Sequence, residues 1–211
     1  MIKKFVFNPV QVNTYLIVND ANDAIVIDPG CYFKHEQDEF SSYVDENNIK
    51  IVKILITHPH FDHLLGAGFM SKKYNVTPRI NSNSKCLLEN IEEYTRAYGF
   101  DDFTFCKVDY NLEEGDEVGI DGYNMEIMYM PGHADGSVCL YNKETKELFT
   151  GDVIFRGSIG RTDFPTGNTQ LLLNNISNRI FTLPEDVVIY SGHGDRSSIK
   201  FEKRANPFFI N

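Results

Sequence analysis

An apolar run that stops at a histidine cluster constrains this chain more than any other stretch. Ile51-Val52-Lys53-Ile54-Leu55-Ile56 reads as a strand buried on both faces, and it leads directly into Thr57-His58-Pro59-His60-Phe61-Asp62-His63. Such a strand belongs inside an α/β sheet. The cluster then sits on the loop at its C-terminal end, where open α/β sheets place their ligands. Three imidazoles and a carboxylate in six residues serve no packing purpose. They are the donors that zinc and iron take.

The rest of the chain supplies a frame for that strand. Short β-branched and aromatic runs at 5–7, 14–18 and 24–27, parted by Asn/Asp turns, predict three strands. An amphipathic helix is expected over 34–46, with Phe33, Phe40, Tyr43 and Val44 inward. Helices follow over 64–74 and 84–98, with a short strand at 78–81 between them. The second half repeats the rhythm. Strands are expected at 117–120, 124–129, 137–141 and 147–150. A helix over 168–183 then turns Leu171, Leu172, Ile176 and Ile180 inward, and a last strand spans 187–190. Strands then helix, twice, predicts an α/β fold: two sheets packed face to face with helices outside, a four-layer αββα arrangement.

Polar residues collect at the strand exits of this frame. Asp28, the 58–63 cluster, His133, Asp152 and His193 each follow a predicted strand, and of six histidines only His35 does not. A lone loop histidine means little, but their joint position points to one centre at one edge of the sheets.

Composition narrows the partners. The 211 residues suit one domain, 1–211, and a hydrophobic fraction of 42% supports a real core. The net charge of −10 disfavours nucleic acid and anionic membrane surfaces. No apolar run approaches the ~20 residues of a membrane span, and the N-terminus lacks a signal-peptide pattern. A cytoplasmic protein is expected. Cys31, Cys86, Cys106 and Cys139 have no Cys-x-x-Cys spacing and read as reduced thiols, with Cys31 close enough to Asp28-Pro29-Gly30 to lie near the centre.

His-x-His-x-Asp-His, followed by Pro131-Gly132-His133, Gly151-Asp152 and Gly192-His193, resembles the metallo-β-lactamase-fold superfamily over essentially the whole chain. Within it, the stretches Val26-Ile27-Asp28-Pro29-Gly30 and Gly160-Arg161-Thr162-Asp163-Phe164 are similar to short glyoxalase II-like hydrolases. The resemblance implies an αββα sandwich of two mixed sheets, without the C-terminal helical domain of the longer glyoxalase II enzymes. It implies two divalent cations, zinc first, with iron or manganese also suited. His58, His60 and His133 would hold one; Asp62, His63 and His193 the other; Asp152 would bridge them, and Asp28 would support the site from behind. It also implies a small-molecule thioester as substrate. Hydrolysis would use a water acidified between the two cations, with Asp62 and Asp152 as the catalytic carboxylates and Arg161 as a substrate contact.

The family's glutathione site carries a Tyr where this chain has Asp163, which weakens the case for glutathione itself. Lys and Arg side chains after His193 (Arg196, Lys200, Lys203, Arg204) could add charge, although a solvated helical face is the plainer reading. Two alternatives stay open. A persulfide dioxygenase of the same fold would use one iron on His58, His133 and Asp152. A metal-free binding protein would have lost ligands, and here all seven positions are filled. A secreted β-lactamase fits less well, since it would need a signal peptide and does not use a bridging Asp.

Overall fold

The computed structural model describes residues 1–210. Fourteen strands and six α-helices alternate along it. The first sheet takes β1 (Ile2–Phe7), β2 (Val12–Val18), β3 (Asp23–Ile27), β4 (Lys50–Leu55), β5 (Arg79–Ile80) and β6 (Asp109–Tyr110), in that order. Pairing is antiparallel from β1 to β3 and parallel from β3 to β6. The second sheet uses β7 (Glu117–Ile120), β8 (Tyr123–Tyr129), β9 (Val138–Asn142), β10 (Glu147–Gly151), β13 (Val188–Ser191) and β14 (Ser197–Ser198). Its order is β14-β13-β10-β9-β8-β7, with only β10 and β13 parallel. Both sheets are therefore mixed, as expected. A small hairpin, β11 (Ile154–Phe155) and β12 (Ser158–Ile159), stands apart.

Alternation along the strands builds the layers. Tyr15, Ile17, Ile25 and Ile27 point inward from the first sheet and meet Val118, Met125, Ile127, Leu140 and Phe149 of the second. Their neighbours Leu16 and Val26 point outward, onto Phe40 and Val44 of α1 (Lys34–Glu46) and Met70 of α2 (Ala67–Tyr74). On the far side, Met128, Cys139 and Leu148 pack on Leu172 of α5 (Thr169–Asn175), Ile176, Ile180 and Ile199 of α6 (Ile199–Ala205). Every residue of β2 is buried, as a strand covered on both faces requires. Each large side chain so buried stabilises the fold by about 1.5–3 kcal/mol.

Several expectations need correction. The predicted helix over 84–98 divides into α3 (Lys85–Leu88) and α4 (Ile91–Ala97), because Asn90 leaves helical geometry at φ −120°, ψ 21°. The helix after the histidine cluster starts only at Ala67, behind a 3₁₀ turn over Phe61–His63. The long helix near the C-terminus is α-helical to Asn175 and widens to a π-helical stretch over Ile176–Ile180. Leu171 and Phe33 face solvent, at 39% and 41% exposure, instead of the core. Leu171 is directly followed by Leu172, which takes the inward direction on the helix. Cys31 is buried beneath Gly66, where an added Cβ would lie 2.6 Å from its sulfur; it packs against backbone and belongs to the outer core. All four cysteines are free thiols. No helix among the described residues is long and apolar enough to cross a membrane.

The parallel pairs β3/β4 and β10/β13 point their C-terminal ends to the same edge. There the two sheets are tied together. Val138 N–H donates to the Thr57 carbonyl (2.9 Å) and Asn13 N–H to the Gly192 carbonyl (2.7 Å). The loops that carry the histidines leave from this fastened edge.

Candidate metal centre

Three strand exits, after β4, β10 and β13, and the turn after β8 deliver seven side chains to one point. His58, His60 and His133 place ligand atoms within 4.8 Å of one another, and so do Asp62, His63 and His193; Asp152 joins His58 and His63 in a third such group. Every candidate ligand read from the sequence is in the cluster. His35 lies elsewhere, stacked on Phe33 at the start of α1.

The rings are oriented from behind. His133 Nδ1–H donates to the Arg161 carbonyl at 2.7 Å, and His193 Nδ1 lies 3.1 Å from the Gln11 carbonyl. A carbonyl only accepts, so the proton is on Nδ1 in both rings and Nε2 faces the centre. Thr57 donates its backbone N–H and its hydroxyl to Asp28 (2.7 and 2.8 Å). Its hydroxyl oxygen then accepts from His58 Nδ1–H at 3.1 Å. Asp28 also places Oδ2 2.9 Å from His63 Nδ1. Outer partners of this kind fix tautomer and direction at metal sites. Asp28 matches its expected supporting role. The main-chain carbonyls of Gln11 and Arg161 carry no signal in the sequence, because any residue type offers one.

This arrangement fits a cation. His58 Nε2 and His133 Nε2 stand 3.2 Å apart, and both tautomers leave lone pairs facing each other. No proton lies between them to make that contact favourable, whereas a divalent ion would. His63 Nε2 and Asp152 Oδ1 are buried without a hydrogen-bond partner, although buried polar atoms are nearly always paired. Asp152 spans the cluster: Oδ2 is 3.8 Å from His133 Nε2 and 3.5 Å from His193 Nε2, and Oδ1 is 3.4 Å from His63 Nε2. Asp62 Oδ2 lies 3.1 Å from His193 Nε2 and 3.4 Å from His63 Nε2. The backbone makes room for this. A Cβ at Gly192 would fall 2.2 Å from Asp152 Oδ1.

Electrostatics divide the centre. Burial, then the neighbouring imidazoles, holds His58 well below its ordinary value. Burial, then His133, pushes His60 down to about 3, and burial also lowers His133. These rings are neutral and ready to ligate. His63 is raised because Asp62, Asp28 and Asp152 outweigh its burial. His193 is raised because its hydrogen bond to Asp62 and the charge of Asp152 outweigh its own burial. Burial works against ionisation of Asp62 and Asp152, but the facing imidazoles, His63 first, hold both carboxyls below the usual range.

A cleft of about 470 Å³ opens over these residues, walled by Phe61, Tyr94, Tyr98, Phe155, Ile159 and Phe164. Tyr94 and Tyr98 face it, with hydroxyls 3.2 Å apart, while Phe100 and Phe103 are core. Arg161 is the only Lys or Arg side chain lining the cleft among the described residues. It is already engaged: Nε and Nη2 donate to Asp163 at 2.7 and 2.6 Å. The cations after His193 do not line this cleft.

The profile of the metallo-β-lactamase superfamily matches residues 7–193. The chain belongs to that superfamily. Among its members, hydroxyacylglutathione hydrolase GloC of Haemophilus influenzae is 35% identical over 94% of this chain and 92% of its own. The probable metallo-hydrolase YqgX of Bacillus subtilis is 32% identical, covering 95% and 93%. Among solved structures, BLEG-1 B3 metallo-β-lactamase superposes with a TM-score of 0.89 at 31% identity, covering all of both chains. TTHA1623 in a di-iron-bound form gives 0.83 at 28%, over 98% and 99%. ETHE1 of Myxococcus xanthus gives 0.80 at 26%, over 98% and 83%. The αββα sandwich of the superfamily is the fold found here.

Proposed function

We propose that this superfamily member is a metal-dependent thioester hydrolase of the glyoxalase II type, acting on hydroxyacyl thioesters in the cytoplasm. His58, His60 and His133 hold one divalent cation, and Asp62, His63 and His193 hold a second. Asp152 reaches both. The observation that carries this reading is the position of Asp152, whose Oδ2 lies near both His133 of the first set and His193 of the second, with Oδ1 toward His63 of the second. A single small ion would not need a carboxylate spread between two ligand sets. The likeness to the GloC hydrolase supports the thioester. Zinc is the proposed metal, and the di-iron form of TTHA1623 makes iron the first alternative.

When bound, two such cations supply Lewis acidity for a carbonyl and acidify a shared water near neutral pH. The chain's own residues do the rest. Asp62, held ionised by His63 and His193, accepts a hydrogen bond from the attacking water and directs its lone pair at the acyl carbon. Asp152 places negative charge between the cation sites and limits their mutual repulsion. The aromatic wall of Phe61, Tyr98 and Phe164 sheds bulk water from the acyl group, which strengthens every charge interaction within the cleft. Arg161 stands where a substrate carboxylate would reach it, in competition with Asp163.

The test is turnover of a panel of 2-hydroxyacyl thioesters by protein whose bound metals are verified. Thioester cleavage with release of thiol is expected. The likeness to ETHE1 and to BLEG-1 sets the other arms, a glutathione persulfide with oxygen uptake recorded and a β-lactam. Activity confined to either arm would replace the proposal.

A further inference from the structure

Residues 160–164 form a loop laid against the metal centre, and an ion pair between Arg161 and Asp163 fastens it. The Arg161 carbonyl accepts from His133 Nδ1–H at 2.7 Å. The path of the backbone at Arg161 therefore sets the direction of that imidazole. The Arg161 side chain lines the cleft and is gripped twice by Asp163, Nε to Oδ1 at 2.7 Å and Nη2 to Oδ2 at 2.6 Å. The same guanidinium lies over the Phe164 ring, 3.8 Å from its centroid. Phe164 in turn meets His60 edge-on, with centroids 5.4 Å apart and planes at 80°. The inner side fits as closely. A Cβ at Gly160 would lie 2.9 Å from His133 Nδ1 and 1.8 Å from the Asp152 carbonyl oxygen.

Resting on the reading that His60 and His133 hold a cation, we propose that Asp163 is a positioning residue for these two imidazoles, acting through Arg161 and Phe164. The side chains of Arg161 and Asp163 are 56% and 67% exposed. An isolated pair at that exposure adds little to stability. What a two-point grip on a planar guanidinium does fix is direction. Here that direction governs two contacts at once: the carbonyl behind His133 and the ring beside His60. The guanidinium that faces the cleft is thus committed first to the loop, and a substrate carboxylate meets it already paired.

The test compares Zn2+ affinity of metal-stripped wild type, R161A, D163A and R161A/D163A by competition with a chromophoric chelator. Each single change should weaken Zn2+ binding at the His58–His60–His133 site about 10-fold or more, in the range found for outer partners of metal ligands. The double variant should be no weaker than either single, because one device is removed once. D163N, which keeps an acceptor but not the charge, should fall between. Thermal melts add a readout that a merely structural pair would not give: the metal-free forms should melt together, while the rise on adding Zn2+ shrinks in the variants. Wild-type Zn2+ affinity in every variant would overturn the proposal. So would equal losses of Tm with and without metal, or an R161A effect confined to KM for anionic thioesters. A wild-type protein that takes up no Zn2+ would overturn the metal reading as well, which separates the two failures.

Discussion

Asp28 and His63 face each other at 2.9 Å, Oδ2 to Nδ1, with both side chains buried. The same carboxylate receives two hydrogen bonds from Thr57, whose hydroxyl orients His58. One residue at the end of β3 thus aligns a ring from each proposed cation site.

Asp28→Asn tests that alignment. Asp28 sits at φ 53°, a left-handed conformation that Asn also tolerates. The backbone should survive while the negative charge behind His63 is lost. Affinity for the cation held by Asp62, His63 and His193 should fall about 10- to 100-fold. Chelator competition on the purified variant measures it.

Proton release should separate the two sites. His63 is held well above its ordinary value and His193 is raised as well, so this pair competes for protons with an entering cation. His60, pushed down to about 3, and the likewise lowered His58 and His133 carry none at neutral pH. Affinity of the Asp62–His63–His193 site should therefore climb as pH rises through the raised imidazole values. Affinity of the other site should stay level across neutral pH. Calorimetry at pH 7 in two buffers of different ionisation enthalpy should find proton release in only one of two binding events.

Two nearby glycines should behave oppositely. A Cβ at Gly192 would lie 2.2 Å from Asp152 Oδ1 and 2.7 Å from His63 Cε1. Gly192→Ala should abolish binding of at least one cation. Gly194 has open space around it but φ +72°. Gly194→Ala should lower stability by about 1 kcal/mol through backbone strain and leave metal content unchanged. Denaturant midpoints and metal analysis on both variants check the contrast.

The inner core should respond without touching the site. Phe149 is 1% exposed and lies between Tyr15 and Tyr190, at ring distances of 5.3 and 5.0 Å. Phe149→Ala should destabilise the fold by roughly 3–5 kcal/mol, read from denaturant unfolding of the metal-free protein.

The strands and the His and Asp residues that cluster at their ends were legible for one shared reason. The β-branched and aromatic run of β2 and the apolar run of β4 announce themselves, and His and Asp after such strands stand out against any packing need. Elements without a period were not legible. The hairpin of β11 and β12 has two residues per strand, too few to alternate. The break at Asn90 sits inside a run whose apolar spacing still looks helical. The closed state of Arg161 was hidden as well, because the sequence places Asp163 two residues on without showing that both oxygens turn back on the guanidinium. The carbonyls behind His133 and His193 come from backbone, which the sequence does not distinguish.

The most direct measurement is metal stoichiometry, by elemental analysis and native mass spectrometry, on protein purified without added metal and then titrated with Zn2+. Two divalent ions per chain are predicted, falling to one when His193 is replaced by alanine. A limit of one ion in the wild type, or iron at one per chain with oxygen uptake on a persulfide, would contradict the two-cation hydrolase.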